Sequence, residues 1–414
     1  MGKKGCIHNL EVVYKIVDTC NLACTYCYYF RGDSYQGHEH RPDYAKIETT
    51  TRLVQKLCEL LQEYEVQELS LILHGGEPLM MKKSEFTAHL SIIRKALGSV
   101  PIYLQTNGVL LNEAWCQLLN NHNIRVSISL DGSQEWHDKH RITVAGHGTY
   151  HRVLKGIATA RQCLTQEEVG IISVLQPDFD YQHICNHFSK TLGLNTLSLL
   201  IPDRTCEPPL SEAEVQGYSQ ALIDAFDFHV SDGQGQIREI ASLLENFQRY
   251  NVNHHHHNAQ TFYPDDRVSV SEVLTIHTNG DINYYDLVYP EVVLAQFGLV
   301  NREFNLADVN LGAMIFSDRL RAVRAQAEAV ADDCQTCEYA GLCYQTAPAY
   351  RATADGYNSR SVYCQVNKTL YQYVVDWLVA NGYPTELIDL ALKGAPSPTA
   401  QPLDHSLTVR NAYE

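Results

Sequence analysis

Two groups of cysteines hold the most legible chemistry in this sequence. Cys20, Cys24 and Cys27 form C-x3-C-x2-C; Cys334, Cys337 and Cys343 form C-x2-C-x5-C, and Cys364 follows alone. The chain has thirteen cysteines, an odd number, so disulfides within it cannot pair them all. Its opening, MGKKGCIHNLE, lacks the long apolar stretch of a secretory signal. Grouped cysteines in such a chain read as metal ligands or catalysts rather than bridges. Three thiolates suit a [4Fe–4S] cluster with one iron left open to a small molecule, whereas a closed zinc site wants four ligands. Zinc completed by His8 or His38 is the alternative at the first group, and a four-cysteine zinc knuckle at the second. The other six (Cys6, Cys58, Cys116, Cys163, Cys185 and Cys206) read as structural. Cys58, Cys116 and Cys163 lie in helix-like stretches, where a buried thiol behaves as a small hydrophobe.

The elements that must position these thiols follow a clear alternation. Strands are predicted at 11–17, 67–73, 101–105, 124–130, 169–175 and 196–201. Helices are predicted at 47–64, 83–97, 111–121, 150–165 and 180–192. Strands alternating with helices of that length signal parallel βαβ units. Six of them predict an α/β fold, a partial (β/α)6 TIM-like barrel, with function at the loops after the strand ends. The pattern changes after Pro202. Residues 211–250 look helical and polar, and 268–276 and 281–287 form a hairpin around Asn279-Gly280. Further helices are expected at 314–329 and 365–380, before a loose tail rich in Pro, Ser, Thr and Ala.

Composition narrows the class. The chain has 414 residues, 45% of them hydrophobic, and its 32 Lys+Arg against 48 Asp+Glu give a net charge of −16. This is enough for two or three domains with real cores, and it excludes disorder and collagen-like repeats. No apolar run reaches the roughly 18 residues of a membrane helix. The acidic balance argues against a broad nucleic-acid surface. The expectation is a soluble, cytoplasmic protein that binds neither nucleic acid nor membrane.

The first cysteine group sits in CNLACTYCYYF, which resembles the cluster loop of radical S-adenosylmethionine enzymes, with Tyr26 as the aromatic before the third cysteine. Other motifs of that family follow in order. His74-Gly75-Gly76-Glu77-Pro78 resembles GGEP, Gln105-Thr106-Asn107-Gly108 the TNG strand end, and Ser127 to Gly132 the SLDG motif. HDKHR, ending at Arg141, resembles HDxxR, and Gly148-Thr149-Tyr150 the start of the next helix. The similarity spans roughly residues 11–202. It implies that Cys20, Cys24 and Cys27 hold a reductive [4Fe–4S] cluster. It further implies that Tyr26, Gly75, Gly76, Glu77, Asn107, Ser129 and Arg141 surround S-adenosylmethionine. The GGEP backbone and Glu77 would meet the cofactor's amine, Ser129 its ribose and Arg141 its carboxylate. Glycines allow that close backbone approach, and a carboxylate suits an ammonium.

Residues 265–364 resemble the SPASM/twitch extensions of radical enzymes that modify peptides. The full pattern has seven cysteines for two auxiliary clusters; here Ala347 and Tyr285 stand where two of them belong. The retained Cys334, Cys337, Cys343 and Cys364 imply one closed auxiliary [4Fe–4S] cluster suited to electron transfer. The expected organisation is a barrel over 1–202, a helical linker region over 203–263, a small α+β SPASM/twitch-like domain over 264–381, and a terminal helix and tail over 382–414.

The resemblance is best to maturases of ribosomally made peptides that join an aromatic ring to a nearby β-carbon, giving three-residue cyclophanes. In such chemistry a 5′-deoxyadenosyl radical takes hydrogen from a side-chain carbon. Thioether formation, epimerisation and sulfatase-maturase-like oxidation are the alternatives, and from another class a catalytically dead, zinc-stabilised binding protein. Asp286 falls where sulfatase maturases carry a base, and a positioned carboxylate would remove the ring proton after crosslinking. The expected partners are a precursor peptide with leader and core, and an electron donor such as flavodoxin or ferredoxin. The run His254 to His257 reads as a polar loop.

Overall fold

The computed structural model describes residues 3–31, 43–166, 168–231, 235–248, 269–284, 298–300, 303–343, 348–353 and 358–393. The chain divides into two compact units: Met1–Ile171 with Tyr263–Ala325, and Ile172–Phe262 with Gln326–Glu414.

In the first unit the strands β1 (Cys6–Val17), β2 (Glu65–Gly75), β3 (Ile102–Thr106) and β4 (Ile124–Ser129) lie side by side and parallel. Helices Ile47–Glu63, Lys83–Leu97 and Glu113–Asn121 connect them. Next come helix Tyr150–Cys163, β5 (Gly170–Val174), helix Tyr181–Asn186 and β6 (Thr196–Leu200). The six strands and their helices give the mixed α/β, mostly parallel arrangement of a partial (β/α)6 barrel, as the alternation predicts. Within the second unit, β7 (Gln236–Ile237) runs parallel to β6.

The hairpin is present as β8 (Ser269–Ile276) and β9 (Asp281–Tyr284), antiparallel around Gly280 at φ +91°. Its placement could not be read from the sequence. β8 runs parallel to β1 along most of its length, so β1 is flanked on both sides. β10 (Phe304–Asn305) closes that edge against β9.

Two predicted helices are broken. The stretch 211–250 divides into Glu212–Ser231 and Arg238–Gln248, with β7 between them. Gly235 lies so close to Phe228 that a Cβ there would stand 2.2 Å from the ring. The stretch 314–329 divides into Leu311–Ile315 and Asp318–Glu328, because Ser317 Oγ accepts from Leu320 N–H and starts a new helix. Among the described residues, no helix is long and apolar enough to cross a membrane.

The two faces of the parallel sheet differ. Leu71, Leu73, Leu104, Val126 and Ile128 are buried, and Tyr14 Oη meets Thr50 Oγ1 of helix Ile47–Glu63 at 2.7 Å. The alternate positions Ser70, Ile72 and His74, Tyr103 and Gln105, and Ser127 and Ser129 are half-buried and mostly polar. With a strand period of two, one face packs under helices while the other offers hydrogen-bonding groups.

Candidate active site

The loop after β1 carries Cys20, Cys24 and Cys27, all half-buried and none in a disulfide. Its backbone is tied down by Ala23 N–H to Ile142 O at 2.7 Å and Thr25 N–H to His140 O at 3.1 Å. Burial, helped by the nearby Glu77 charge, pushes Cys20 up to about 12, and burial raises Cys24 as well. Without a cation these thiols stay protonated at neutral pH, so metal binding must displace protons. Two donors face the Cys20 sulfur: Leu22 N–H at 3.4 Å and Asn107 Nδ2 at 3.8 Å. Asn107 Nδ2 also donates to Asn21 Oδ1 at 2.8 Å.

Gly75 and Gly76 bring the end of β2 against this loop. A Cβ at Gly75 would lie 2.0 Å from Val17 O, and one at Gly76 would lie 2.0 Å from Thr19 O. Gly76 N–H donates to Val17 O at 2.7 Å and Glu77 N–H to Thr19 O at 2.8 Å. Both glycines are therefore required by contact with the chain entering Cys20, whatever else approaches them.

Glu77 is fully buried and accepts from Thr106 Oγ1 (2.6 Å), Asn107 N–H (2.7 Å) and Leu79 N–H (3.0 Å). The structure thus places its carboxylate as a tie between the ends of β2 and β3. Burial outweighs these donors and pushes Glu77 up to about 7. The folded chain then holds this proton more tightly than the unfolded chain does. The stability it gives is full below the ordinary value of 4.5 and is lost as pH rises towards 7. Relative to Glu77→Gln, the wild-type unfolding free energy in urea is expected to fall by up to about 1.4 kcal/mol per pH unit across that window. A difference that does not change with pH would refute this.

Arg141 is buried and paired with Asp131, Nε to Oδ2 at 2.8 Å and Nη2 to Oδ1 at 3.3 Å. Tyr26 Oη donates to the same Asp131 carboxylate, and the guanidinium lies 5.4 Å from the Tyr26 ring centre. Burial first, and the Asp131 charge beside it, holds Tyr26 well above the usual phenol range. The short helix Gln134–His140, not predicted, explains the rest of HDKHR. Asp131 N–H donates to His137 Nδ1 (3.3 Å), which leaves His137 Nε2–H for Thr149 Oγ1 (3.0 Å), while Thr149 Oγ1 donates to Arg141 O (2.7 Å). Burial takes His137 down to about 4, so the ring stays neutral and this chain of bonds keeps its sense. Asp138 caps the next helix through Thr149 N–H (2.7 Å) and Tyr150 N–H (2.9 Å). Ser129 Oγ accepts from Gln105 Nε2 at 2.9 Å.

The structure brings Tyr26, Gly75, Gly76, Glu77, Asn107 and Arg141 around the first cysteine loop, and Ser129 onto the polar face beside Gln105. Residues missed in the sequence are Asp131, His137, Asp138 and Thr149, together with Lys15 and His74. All of these but Lys15 stand in the motifs of the first unit, but nothing in their spacing announces a buried ion pair.

In the second unit, Cys334 ends a turn, Cys343 ends the short helix Ala340–Cys343, and Cys364 opens helix Cys364–Ala380. Burial raises Cys334, with Cys364 and Cys337 adding to it, while Tyr371 is hydrogen-bonded to Cys343 and feels Cys364 and Cys337. Cys206 lies in the same unit, its Sγ against Tyr350 O (3.0 Å) and Arg360 O (3.3 Å). Among the described residues no three His, Cys, Asp or Glu side chains are gathered as ligands of one metal ion are. Asp286, Tyr285, Ala347 and His254 to His257 lie outside the described residues, as does His38.

The arrangement defines a βα-barrel protein whose thiol loop follows the first strand, where such folds place their chemistry. Residues 14–190 match the model of the Radical SAM superfamily. The serine-type anaerobic sulfatase-maturating enzyme of Klebsiella aerogenes is 34% identical over 146 residues, which cover 34% of this chain and 34% of that enzyme. The match therefore spans about a third of that relative's length. An uncharacterized protein of Synechocystis is 23% identical over 80% of this chain and 82% of its own. The solved structure of native anSMEcpe with bound AdoMet and Cp18Cys peptide shares the fold at a TM-score of 0.71. It is 20% identical and covers 93% of this chain and 99% of that one.

Proposed function

We propose that the chain is a radical S-adenosylmethionine maturase that oxidises a peptide. The observation that carries this reading is the three-thiol loop after β1, clasped by Gly75, Gly76 and Asn107 within a segment of radical SAM type. When bound, a [4Fe–4S] cluster and S-adenosylmethionine supply one-electron reduction and hydrogen abstraction. The donor set fits the cluster, with three thiols in one loop and none of them in a disulfide. Cys20, Cys24 and Cys27 hold it, and the Leu22 and Asn107 N–H groups steady the Cys20 thiolate. The Gly75-Gly76 backbone, Tyr26, Ser129 and Arg141 border the place for S-adenosylmethionine, and Glu77 holds Asn107 beside it. Cys334, Cys337, Cys343 and Cys364 would hold an auxiliary [4Fe–4S] cluster, which would supply electron transfer. Reduction comes from a flavodoxin or ferredoxin, and the substrate is a precursor peptide with leader and core.

Two outcomes fit such an enzyme. The sulfatase-maturating relative supports oxidation of a single serine or cysteine side chain, as does the peptide bound in the related fold. Tyr285 and Ala347, in place of cysteines, support the crosslink between an aromatic ring and a nearby β-carbon. Both remove two hydrogens, but a serine so oxidised becomes an aldehyde and reacts with a hydrazide reporter, whereas a crosslink does not. In either case Asp286 takes the proton. Anaerobic assays with synthetic serine-containing and aromatic-containing peptides test this, read by product mass and 5′-deoxyadenosine. Asp286→Asn is expected to cleave S-adenosylmethionine yet give no peptide product. Unchanged product would dismiss Asp286, and peptides that never change mass would dismiss the maturase.

A further inference from the structure

Asn107 follows β3 directly and has only 7% of its surface exposed. Its backbone is clamped, because Asn107 N–H donates to Glu77 Oε2 at 2.7 Å. Its side chain is clamped as well. Val109 N–H, which can only donate, meets Asn107 Oδ1 at 3.1 Å. That bond fixes which end of the amide is oxygen and turns Nδ2, with its two hydrogens, towards the loop after β1. Nδ2 lies 2.8 Å from Asn21 Oδ1 and 3.8 Å from Cys20 Sγ, so each hydrogen has an acceptor.

The orientation of Asn21 shows what this arrangement costs. By offering Oδ1 to Asn107, Asn21 leaves its own Nδ2 sealed from water and without an acceptor among the described residues. A buried donor left unmade is unfavourable, whereas an apolar pair of the same shape at 21 and 107 would be close to neutral. Packing alone therefore does not account for the two amides. The sulfur beside them does. While Cys20 is a thiol, its S–H faces Asn21 Oδ1 at 3.8 Å. Once Cys20 gives up that proton to a metal, its sulfur only accepts, and Asn107 Nδ2 and Leu22 N–H (3.4 Å) are donors that face it.

We propose that Asn107 donates a hydrogen bond to the Cys20 sulfur when that sulfur ligates the [4Fe–4S] cluster, and so raises the cluster's reduction potential. The inference rests on the cluster of the proposed function. Hydrogen bonds to cluster sulfurs are among the levers that set such potentials. The electron taken up on reduction adds negative charge that spreads over the sulfurs, and a fixed N–H dipole beside one of them favours the reduced form. Asn21 has a separate part: it takes the second Nδ2 hydrogen and gives Cys20 none of its own.

The test is an anaerobic redox titration of the reconstituted full chain without S-adenosylmethionine, followed by EPR of the reduced cluster. The spectrum of the variant with Cys20, Cys24 and Cys27 replaced by alanine is subtracted, which removes the contribution of the other cysteine group. In Asn107→Leu the ratio of reduced to oxidised cluster at a fixed potential is expected to fall about tenfold, the worth of one such bond. For a one-electron couple that is a midpoint lower by about 59 mV. Asn21→Leu is expected to cause no fall, since the Asn107 donor stays in place. With 15N-labelled asparagine, pulsed EPR is expected to show a nitrogen coupling to the reduced cluster that Asn107→Leu removes and Asn21→Leu keeps. Should Asn107→Leu not take up iron, Asn107→Ser, which loses the amide but keeps an oxygen for Val109 N–H, replaces it. An unchanged midpoint in an iron-loaded Asn107 variant overturns the inference, as does an equal fall in the Asn107 and Asn21 variants, which would mean general damage to the loop. An unchanged midpoint with weaker binding of S-adenosylmethionine overturns it too and assigns Asn107 to that ligand. A wild type that forms no iron–sulfur cluster removes the inference and the proposed function together. The expected shift in a protein that changes no peptide sinks the maturase reading alone.

Discussion

Replacing Cys20, Cys24 and Cys27 together by alanine is expected to cut iron in the anaerobically reconstituted chain from about eight to about four per molecule, as two [4Fe–4S] sets require. It is also expected to abolish cleavage of S-adenosylmethionine. The size of the effect follows from the independence of the two thiol groups. Cys20 to Cys27 form one continuous loop after β1, while Cys334, Cys337, Cys343 and Cys364 belong to the other compact unit. Each group has its own burial and its own mutual electrostatics, so emptying one leaves the ligands of the other in place. Iron and sulfide analysis of both proteins checks this. About four irons in the wild type and none in the variant would make the second group a zinc knuckle or empty, and would remove the electron exit. A colourless, iron-free wild type would point to the zinc-stabilised binding protein.

The fold was legible because its period is loud. Apolar runs such as LSLIL and VSISL alternate with amphipathic helices, and each of the first six β strands overlaps its expected span. The extra partner of β1 was not legible. β8 lies more than two hundred residues downstream in sequence, and no local pattern says that a hairpin will lay one strand beside β1. The site was legible as motifs and less so as physics. Gly75 and Gly76 were expected to leave room for a ligand, and the structure shows that they also leave room for Val17 O and Thr19 O. Glu77 and Arg141 were read as facing the cofactor; their carboxylate and guanidinium are engaged by Thr106, Asn107, Leu79 and Asp131. Spacing reports which residues recur together. It does not report which of two oppositely charged neighbours a side chain meets, because that depends on how strands far apart in sequence end side by side.

That engagement makes Arg141 the residue whose loss is expected to cost most stability. Asp131 is fully buried, and Arg141 meets it through two nitrogens, at 2.8 and 3.3 Å. Truncation to Met keeps much of the side-chain volume and removes the counter-charge. An uncompensated buried carboxylate of this kind costs about 3–5 kcal/mol. Tyr26 Oη also donates to Asp131, so the damage spreads to the cysteine loop. Arg141→Met is therefore expected to lower the unfolding free energy of the metal-free chain, measured in urea, by that amount. Asp131→Asn in the same chain should recover most of it, since the amide can still accept from Tyr26 without a buried charge. The double-mutant cycle isolates the pair, because the two residues touch and their separate losses will not add. A single Arg141→Met variant within about 1 kcal/mol of wild type would mean that Asp131 is neutralised or hydrated in the folded chain. Arg141 would then be left to the cofactor alone, as the motif implied. A large loss rescued by Asp131→Asn assigns Arg141 first to the scaffold. Any weaker binding of S-adenosylmethionine that persists in the rescued double variant then measures what the guanidinium gives to the ligand itself.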